Sequence, residues 1–393
     1  MSRPALFGRI IPTGTLNRNL KLLCISNFFG AFGDGLFVYT LPIYLRGLEA
    51  SPADVGLLYS ILSLSSALTI IPGGFLADRF DRKKIMILGW AIWVPVPLMF
   101  SLATHWSQLP FVMSIYGFLI AGPATSAYVA TSANKERITV TFTVISASWS
   151  LGYIFSPALG GYISTQIGTS SVFFLAFALY ALATVTLFLV QSQNPKKLND
   201  EKSSASTGSR PFYSRKIILI SIYFATAIFL LSITRPLIVQ FLRDVYIIDS
   251  FQIGVLGSVT FSGWAVISIV LGKIGDKWTI VAAVATALVL ASISLIVMIS
   301  FKNFPELVFA SFIEGGSYPL WSLMGAAVGS IAPEMSRGRW ISVSQTITTL
   351  AAFIAPYLGG ILYEASPYTP FYVVIVATLL LSLVAFTKPL KER

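Results

Sequence analysis

Apolar residues fill the chain in long runs, separated by short polar or Pro/Gly-rich breaks. A hydrocarbon core about 30 Å thick needs about 20 apolar residues to cross it as a helix. Twelve runs qualify, at approximately 20–45, 54–77, 84–103, 109–131, 139–164, 171–191, 216–242, 252–273, 279–300, 306–331, 340–363 and 369–387. The pattern predicts an all-α membrane protein with twelve transmembrane helices. Some runs, such as the fifth, are rich in Ser and Thr, as expected where a helix faces protein or a water-filled path. One long polar stretch, Gln191–Arg215, lies between spans six and seven and holds Lys196-Lys197, Asn199-Asp200-Glu201-Lys202 and the run Ser203 to Gly208. Its composition is that of a flexible cytoplasmic linker. It predicts two six-helix bundles, residues 1–191 and 216–393, joined by residues 192–215.

Composition removes the soluble alternative. Of 393 residues 55% are apolar and 11% charged, with mean hydropathy +0.78, whereas soluble domains carry about 25% charged residues. A net charge of +11 would by itself allow nucleic acid as a partner, so its placement decides. With a cytoplasmic N-terminus, 23 Lys and Arg fall on inner segments and only Arg46, Arg243 and Lys302 on outer loops, with Arg235 inside a span. That asymmetry follows the positive-inside rule. It predicts a multi-pass plasma-membrane protein with both termini cytoplasmic, and it makes nucleic acid unnecessary. The single Cys24 excludes an internal disulfide or a Cys-based cluster. The single His105 excludes a His-rich metal site. Gly272-Lys273 is followed by Ile274 and lacks the rest of a phosphate loop, so ATP-driven pumping is not expected. No metal or cofactor is predicted. The first twenty residues, with Pro4, Pro12 and several Arg, are not expected to form a signal peptide.

The two halves repeat weakly at an offset of 198 to 200. Gly74-Phe-Leu-Ala-Asp78-Arg79 answers to Gly272-Lys-Ile-Gly-Asp276-Lys277, Ser156-Pro157 with Gly160-Gly161 to Ala355-Pro356 with Gly359-Gly360, and Arg137 to Arg337. Parallel repeats around a midplane site are a common transporter plan. The segment Gly74-Phe75-Leu76-Ala77-Asp78-Arg79-Phe80-Asp81-Arg82-Lys83-Lys84 resembles the loop 2–3 signature of the major facilitator superfamily, with Asp81 where Gly is usual. Gly152-x-x-x-Ser156-Pro157-x-x-Gly160-Gly161 resembles the helix 5 signature of its antiporter branches, with Ser156 in place of Gly. Those branches also carry an Arg in helix 4, where this chain has the uncharged Phe118 four residues before Gly122.

The resemblance implies that loop 2–3 latches the two bundles in the outward-open state. Asp78 and Arg82 would carry that gate, with Arg79 and Lys83 beside them, Gly272, Asp276 and Lys277 as a weaker counterpart, and Arg137 and Arg337 flanking. Gly74 would let two helices approach, and Asp78 could cap a helix N-terminus or pair with an Arg of the facing half. Pro157 and Pro356 break helical hydrogen bonds, while Gly160, Gly161, Gly359 and Gly360 permit tight crossings. Plain packing and a hinge that keeps the cavity from leaking both use that geometry.

Charges inside spans are the sharper clue, because each costs about 2.5–3.5 kcal/mol on insertion scales. Asp34 lies in span 1, Arg235 in span 7 and Glu314 in span 10. The resemblance implies that spans 1, 4, 7 and 10 line the central cavity. With no usable His, a proton carrier must be a carboxylate. Asp34 is expected to alternate between a protonated form and one paired with Arg235. Asn27, Tyr39, Tyr116, Tyr128, Tyr318 and Trp321 complete the candidate set, an aromatic-rich path suited to a lipophilic or amphipathic solute. The expected function is secondary transport of a small molecule, export driven by protons, by a monomer. A nutrient symporter or uniporter of the same fold is the alternative. A membrane-embedded enzyme would need a nucleophile–base pair or metal ligands at one depth, which a lone His105 does not supply.

Overall fold

The computed structural model describes residues 16–134, 138–195, 215–332 and 337–384. Most of the predicted linker and Arg137 lie outside the described residues. Among the described residues the fold is all-helical and passes back and forth as α1 (Arg18–Val38, continued by Leu41–Gly47), α2 (Pro52–Arg79), α3 (Arg82–Leu102), α4 (Trp106–Ser132), α5 (Ile138–Gln166) and α6 (Thr169–Phe188). The second half follows as α7 (Arg215–Asp244), α8 (Ser250–Lys277), α9 (Ile280–Ser300), α10 (Phe304–Glu314 and Leu320–Ile331), α11 (Arg337–Ala352 and Ala355–Ala365) and α12 (Thr369–Val384).

Ten helices among the described residues are long and apolar enough to cross a membrane. The two predicted spans that fall short are α10, whose helices of 11 and 12 residues flank a 3-10 turn at Gly315–Ser317, and α12, with 16 residues. The α10 break has a partner in α4 at Gly117, 198 positions earlier. A Cβ on Gly117 would collide with the Leu62 carbonyl of α2, and one on Gly315 with the Thr260 carbonyl of α8. Each glycine therefore lets a broken helix lie on the backbone of its neighbour. Backbone groups freed by the α4 break are satisfied from α2, since Ser66 Oγ donates to Gly117 O (2.9 Å) and Leu119 N donates to Thr69 Oγ1 (3.0 Å). This is the repair that a low-dielectric surrounding requires.

Local chemistry sets the helix ends. Ser51 and Asp54 form a reciprocal capping box at the start of α2, with Pro52 at its first position. Asp81, not Asp78, caps α3 by accepting from Lys83 N (3.0 Å). The loop departure from Gly to Asp thus supplies the cap. Arg46 and Arg243, two of the three cations assigned to outer loops, fold back onto the carbonyls of Ala50 and Ile248 at 2.6 and 3.1 Å. Cations satisfying carbonyls beyond a helix C-terminus are favourable.

One buried cluster draws only on residues 20–190 and two others only on residues 217–375. The halves meet closely at the end of the molecule that carries the α1–α2 turn. There Gly56 and Gly254 face the carbonyls of Pro356 and Pro157, while Gly360 and Gly161 face those of Pro52 and Ser250. In both pairs a Cβ would run into backbone. Two hydrogen bonds repeat the symmetry across the interface: Ala158 N donates to Ser258 Oγ (3.1 Å) and Tyr357 N to Ser60 Oγ (3.2 Å). Gly160 and Gly359 press instead on α1 and α7 of their own halves, at Leu36 and Ile233. The Pro/Gly segments therefore serve both packing within a half and the seal between halves.

At the opposite end a Cβ on Gly74 or Gly272 would meet no described residue within 4 Å. The close approach expected of Gly74 belongs to its neighbour Gly73, whose added Cβ would lie 2.9 Å from the Ile120 backbone of α4.

Candidate functional site

A cavity of about 480 Å³ lies between the halves. Asp34, Tyr39, Tyr116, Arg235, Glu314, Tyr318 and Trp321 of the predicted set all line it. Its wall is broader than four helices, because Tyr59 of α2, Trp149 and Tyr153 of α5, and Phe261 and Trp264 of α8 contribute as well.

Asp34 sits between Gly33 and Gly35, and these glycines admit its partners. A Cβ on Gly33 would lie 3.0 Å from the Tyr180 ring, and one on Gly35 would overlap Ser156 of α5. The buried carboxylate accepts three phenolic hydrogen bonds. Tyr116 and Tyr180 (the latter at 2.8 Å) donate to Oδ1, and Tyr153 donates to Oδ2. A buried charge persists only when hydrogen-bonded or paired, and here phenols do the pairing. The described residues contain no ion pair between Asp34 and Arg235.

Arg235 faces the other half of the site. Its guanidinium lies 4.3 Å from the Tyr318 ring centre, and Nη2 donates to Ser317 Oγ at 3.4 Å. Ser317 Oγ in turn donates to Glu314 Oε1 (3.1 Å). Among the described residues the buried Glu314 Oε2 has no hydrogen-bond partner. The ring of Tyr318 is stacked 5.4 Å from Trp264.

Two predicted residues lie elsewhere. Tyr128 is buried in the first half and donates to the Gln191 carbonyl at 2.9 Å, so it packs α4 against the end of α6 and does not reach the cavity. Asn27 lines an adjoining chamber. Tyr153 and Tyr180 were not anticipated. The only sequence signal for them is the Gly33-Asp34-Gly35 triplet, which marks a carboxylate with room for large neighbours on both sides.

The predicted gate residues are held within their own half or exposed. Arg82 Nη1 donates to Thr131 Oγ1 (2.6 Å), Gln193 Oε1 (2.7 Å) and the Ala127 carbonyl (3.1 Å). Lys83 Nζ donates to the Phe188 carbonyl (2.7 Å). Asp78, Arg79, Asp276 and Lys277 are exposed. Arg337 opens α11, with its side chain outside the described residues. Asp81 accepts from Ser192 Oγ, Gln193 N (3.2 Å) and Lys83 N. Burial pushes its carboxyl up, but those three bonds and the Lys84 charge outweigh it and hold it below the usual carboxylate range.

Apolar spans enclosing a polar-tipped aromatic cavity between two repeated halves define a multi-pass membrane transporter of small molecules, not an enzyme. The chain belongs to the Major Facilitator Superfamily, whose family model matches residues 23–278 and 220–393. It is 28% identical over 369 residues to "Multidrug resistance protein 2" of Bacillus subtilis strain 168, covering 90% of this chain and 91% of that protein. It is 22% identical to "Quinolone resistance protein NorA" of Staphylococcus aureus strain COL, covering 93% and 95%. A crystal structure of a POT family transporter in complex with 5-aminolevulinic acid superposes with a TM-score of 0.78 at 15% identity, covering 98% of this chain and 99% of that one, and so shares the fold.

Proposed function

We propose that this protein exports small lipophilic compounds across the plasma membrane in exchange for protons. It acts as a monomer of two six-helix units, residues 1–191 and 216–393, with both termini cytoplasmic. The observation that carries the proposal is the tyrosine-caged Asp34 opening onto an aromatic cavity whose opposite wall holds Glu314 and Arg235. Relatives named for multidrug and quinolone resistance, matched along nine-tenths of their length, support the direction and the solute class. The 23-to-3 distribution of cations supports the orientation. In that orientation the sealed end faces outward, and the structure is read as inward-facing.

An ionised Asp34 can accept all three phenols at once. A protonated one carries a donor of its own and fewer acceptor lone pairs, so protonation at Oδ2 weakens or reverses the bond with Tyr153 while Oδ1 still accepts from Tyr116 and Tyr180. Proton binding thereby loosens a contact joining α1 to α5. In the opposite access state Arg235 becomes the partner of Asp34. Gly74, Gly272, Asp78 and Arg82 then close the inner end.

The test is flux in proteoliposomes with a fluorescent lipophilic dye. Asp34→Asn keeps the side-chain shape and can still accept from tyrosines. It is expected to abolish pH-gradient-driven dye transport while leaving dye binding and expression intact. Gradient-driven transport at the wild-type rate would remove Asp34 from the mechanism. Dye counterflow that ignores the gradient in the wild type would instead indicate a uniporter.

A further inference from the structure

We propose that the central cavity has a second, uncharged chamber that binds the flat, neutral ring system of a ligand through an amide-like edge. The chamber measures about 310 Å³ and lies inside the first half, among α1, α3, α4 and α5. It adjoins the central cavity, with Trp93, Leu119 and Trp149 lining both. A volume near 300 Å³ is at the small end of ligand pockets, enough for a fused ring system but not for a whole elongated solute.

Its chemistry differs from that of the main cavity. No charged residue lines it among the described residues. Three indoles shape one side, with Trp90 centred 5.5 Å from Trp93 and 6.3 Å from Trp149. Indole faces favour offset or edge-on contact with another planar ring. Asn27 supplies the specificity. Its carboxamide lines the chamber and has no hydrogen-bond partner among the described residues. A carboxamide presents donor and acceptor side by side, which matches the N–H and C=O of a lactam or secondary amide. The residue is half-buried on a wall that also holds Thr125, Ser126 and Ser146, so it is available to pair with a ligand.

The glycines separate space from packing. A Cβ on Gly89 would press on the Ala121 Cβ at 2.6 Å, so Gly89 is required by the α3–α4 contact. Gly122 also lines the chamber, and a Cβ there would meet nothing within 4 Å. Gly122 is exposed, and among the described residues nothing stands where its side chain would enter. In the export reading, on which the purpose of the chamber rests, a solute places its polar head near Asp34 and Glu314 and its ring beside Asn27.

The experiment uses purified full-length protein and tryptophan fluorescence, since three of the lining residues report directly. The probe is phenanthridin-6(5H)-one, a neutral tricyclic lactam, compared with its N-methyl derivative and with the small cation benzyltrimethylammonium. Saturable quenching by the lactam is expected, with at least threefold weaker binding of the N-methyl form. Gly122→Leu, which fills the chamber, is expected to weaken the lactam at least tenfold while the cation changes less than threefold. Asn27→Ala should make the two lactams bind alike. Wild-type lactam affinity in a folded Gly122→Leu variant would overturn the proposal. Should that variant not fold, equal binding of both lactams to the wild type, or quenching that never saturates, would do the same. The export reading fails separately, if lactam binding behaves as stated while wild-type liposomes show no dye flux.

Discussion

The two ends of the molecule carry similar glycine-marked repeats and use them differently. At the sealed end, Gly56, Gly161, Gly254 and Gly360 each sit against a backbone carbonyl of the other half. At the opposite end a Cβ on Gly74 or Gly272 would meet no described residue within 4 Å. A glycine pressed on backbone marks an interface that is formed, and one without such a neighbour leaves room for an approach. Alternating access asks for this asymmetry, since closing both ends with equal strength would trap the solute. The halves need not bend, because a seal made of helix backbones can separate as two rigid surfaces.

The strongest way to break the comparison is to put bulk at one end and then the other. Gly161→Leu and Gly360→Leu each set a side chain against helix backbone that has no rotamer to yield. Each is expected to unseat the seal, lower export more than tenfold, and expose a cysteine placed at Val38 to a membrane-impermeant maleimide from outside in a Cys24→Ser background. Gly74→Leu, set against no described residue, should leave thermal stability within about 0.5 kcal/mol of wild type. Gly161→Leu with normal flux and a protected cysteine would show that the seal is not where these contacts put it.

A smaller effect sharpens the same contrast. Ser60 and Ser258 each accept one backbone N–H across the seal. Deleting either hydroxyl should cost the sealed state about 0.5–1.5 kcal/mol. Ser60→Ala and Ser258→Ala lie on opposite sides of the pseudo-twofold, so their effects should add in the double variant. The readout is the maleimide labelling rate from outside, rising stepwise from single to double. A double variant no faster than either single would mean that the two bonds do not act on one opening.

Much of this design was legible in the chain because it depends on spacing. The offset of 198 to 200 pairs Pro157 with Pro356 and Gly161 with Gly360, and these pairs become equivalent contacts in space. Asp34, Arg235 and Glu314 stood out because charges in apolar runs have few other uses, and all three reach one cavity. The partners of Asp34 were not legible. Tyr180 lies in a largely apolar helix and Tyr153 in one whose Ser and Thr are scattered around it, so no polar stripe tells which face meets protein. Tyr128 misled for the same reason, its hydroxyl being needed by the Gln191 carbonyl. Asp81 looked like a neutral departure from a motif because its partners Ser192 and Gln193 are more than a hundred residues away.

The smallest predicted effect tests whether the open end is organised without the other half. Asp81 ties the start of α3 to the segment after α6, both in the first half. Its carboxyl is held below the usual range in the folded protein, so the folded state favours the ionised form. The stability this supplies is fully present above the unfolded value of about 3.9 and disappears as pH falls through the lower folded value. Asp81→Asn keeps an oxygen for the α3 cap and removes the charge, with an NH2 donor where Oδ2 accepts from Ser192. Wild type should melt slightly higher than Asp81→Asn at pH 7, and the gap should close below about pH 4. The exposure of the site makes this a small shift. Maleimide labelling from outside should be the same in both proteins. A gap that persists unchanged in acid would mean that the shape of Asp81, not its charge, holds the loop. Faster labelling in Asp81→Asn would mean that this loop helps to hold the distant seal, and that the two ends are not independent.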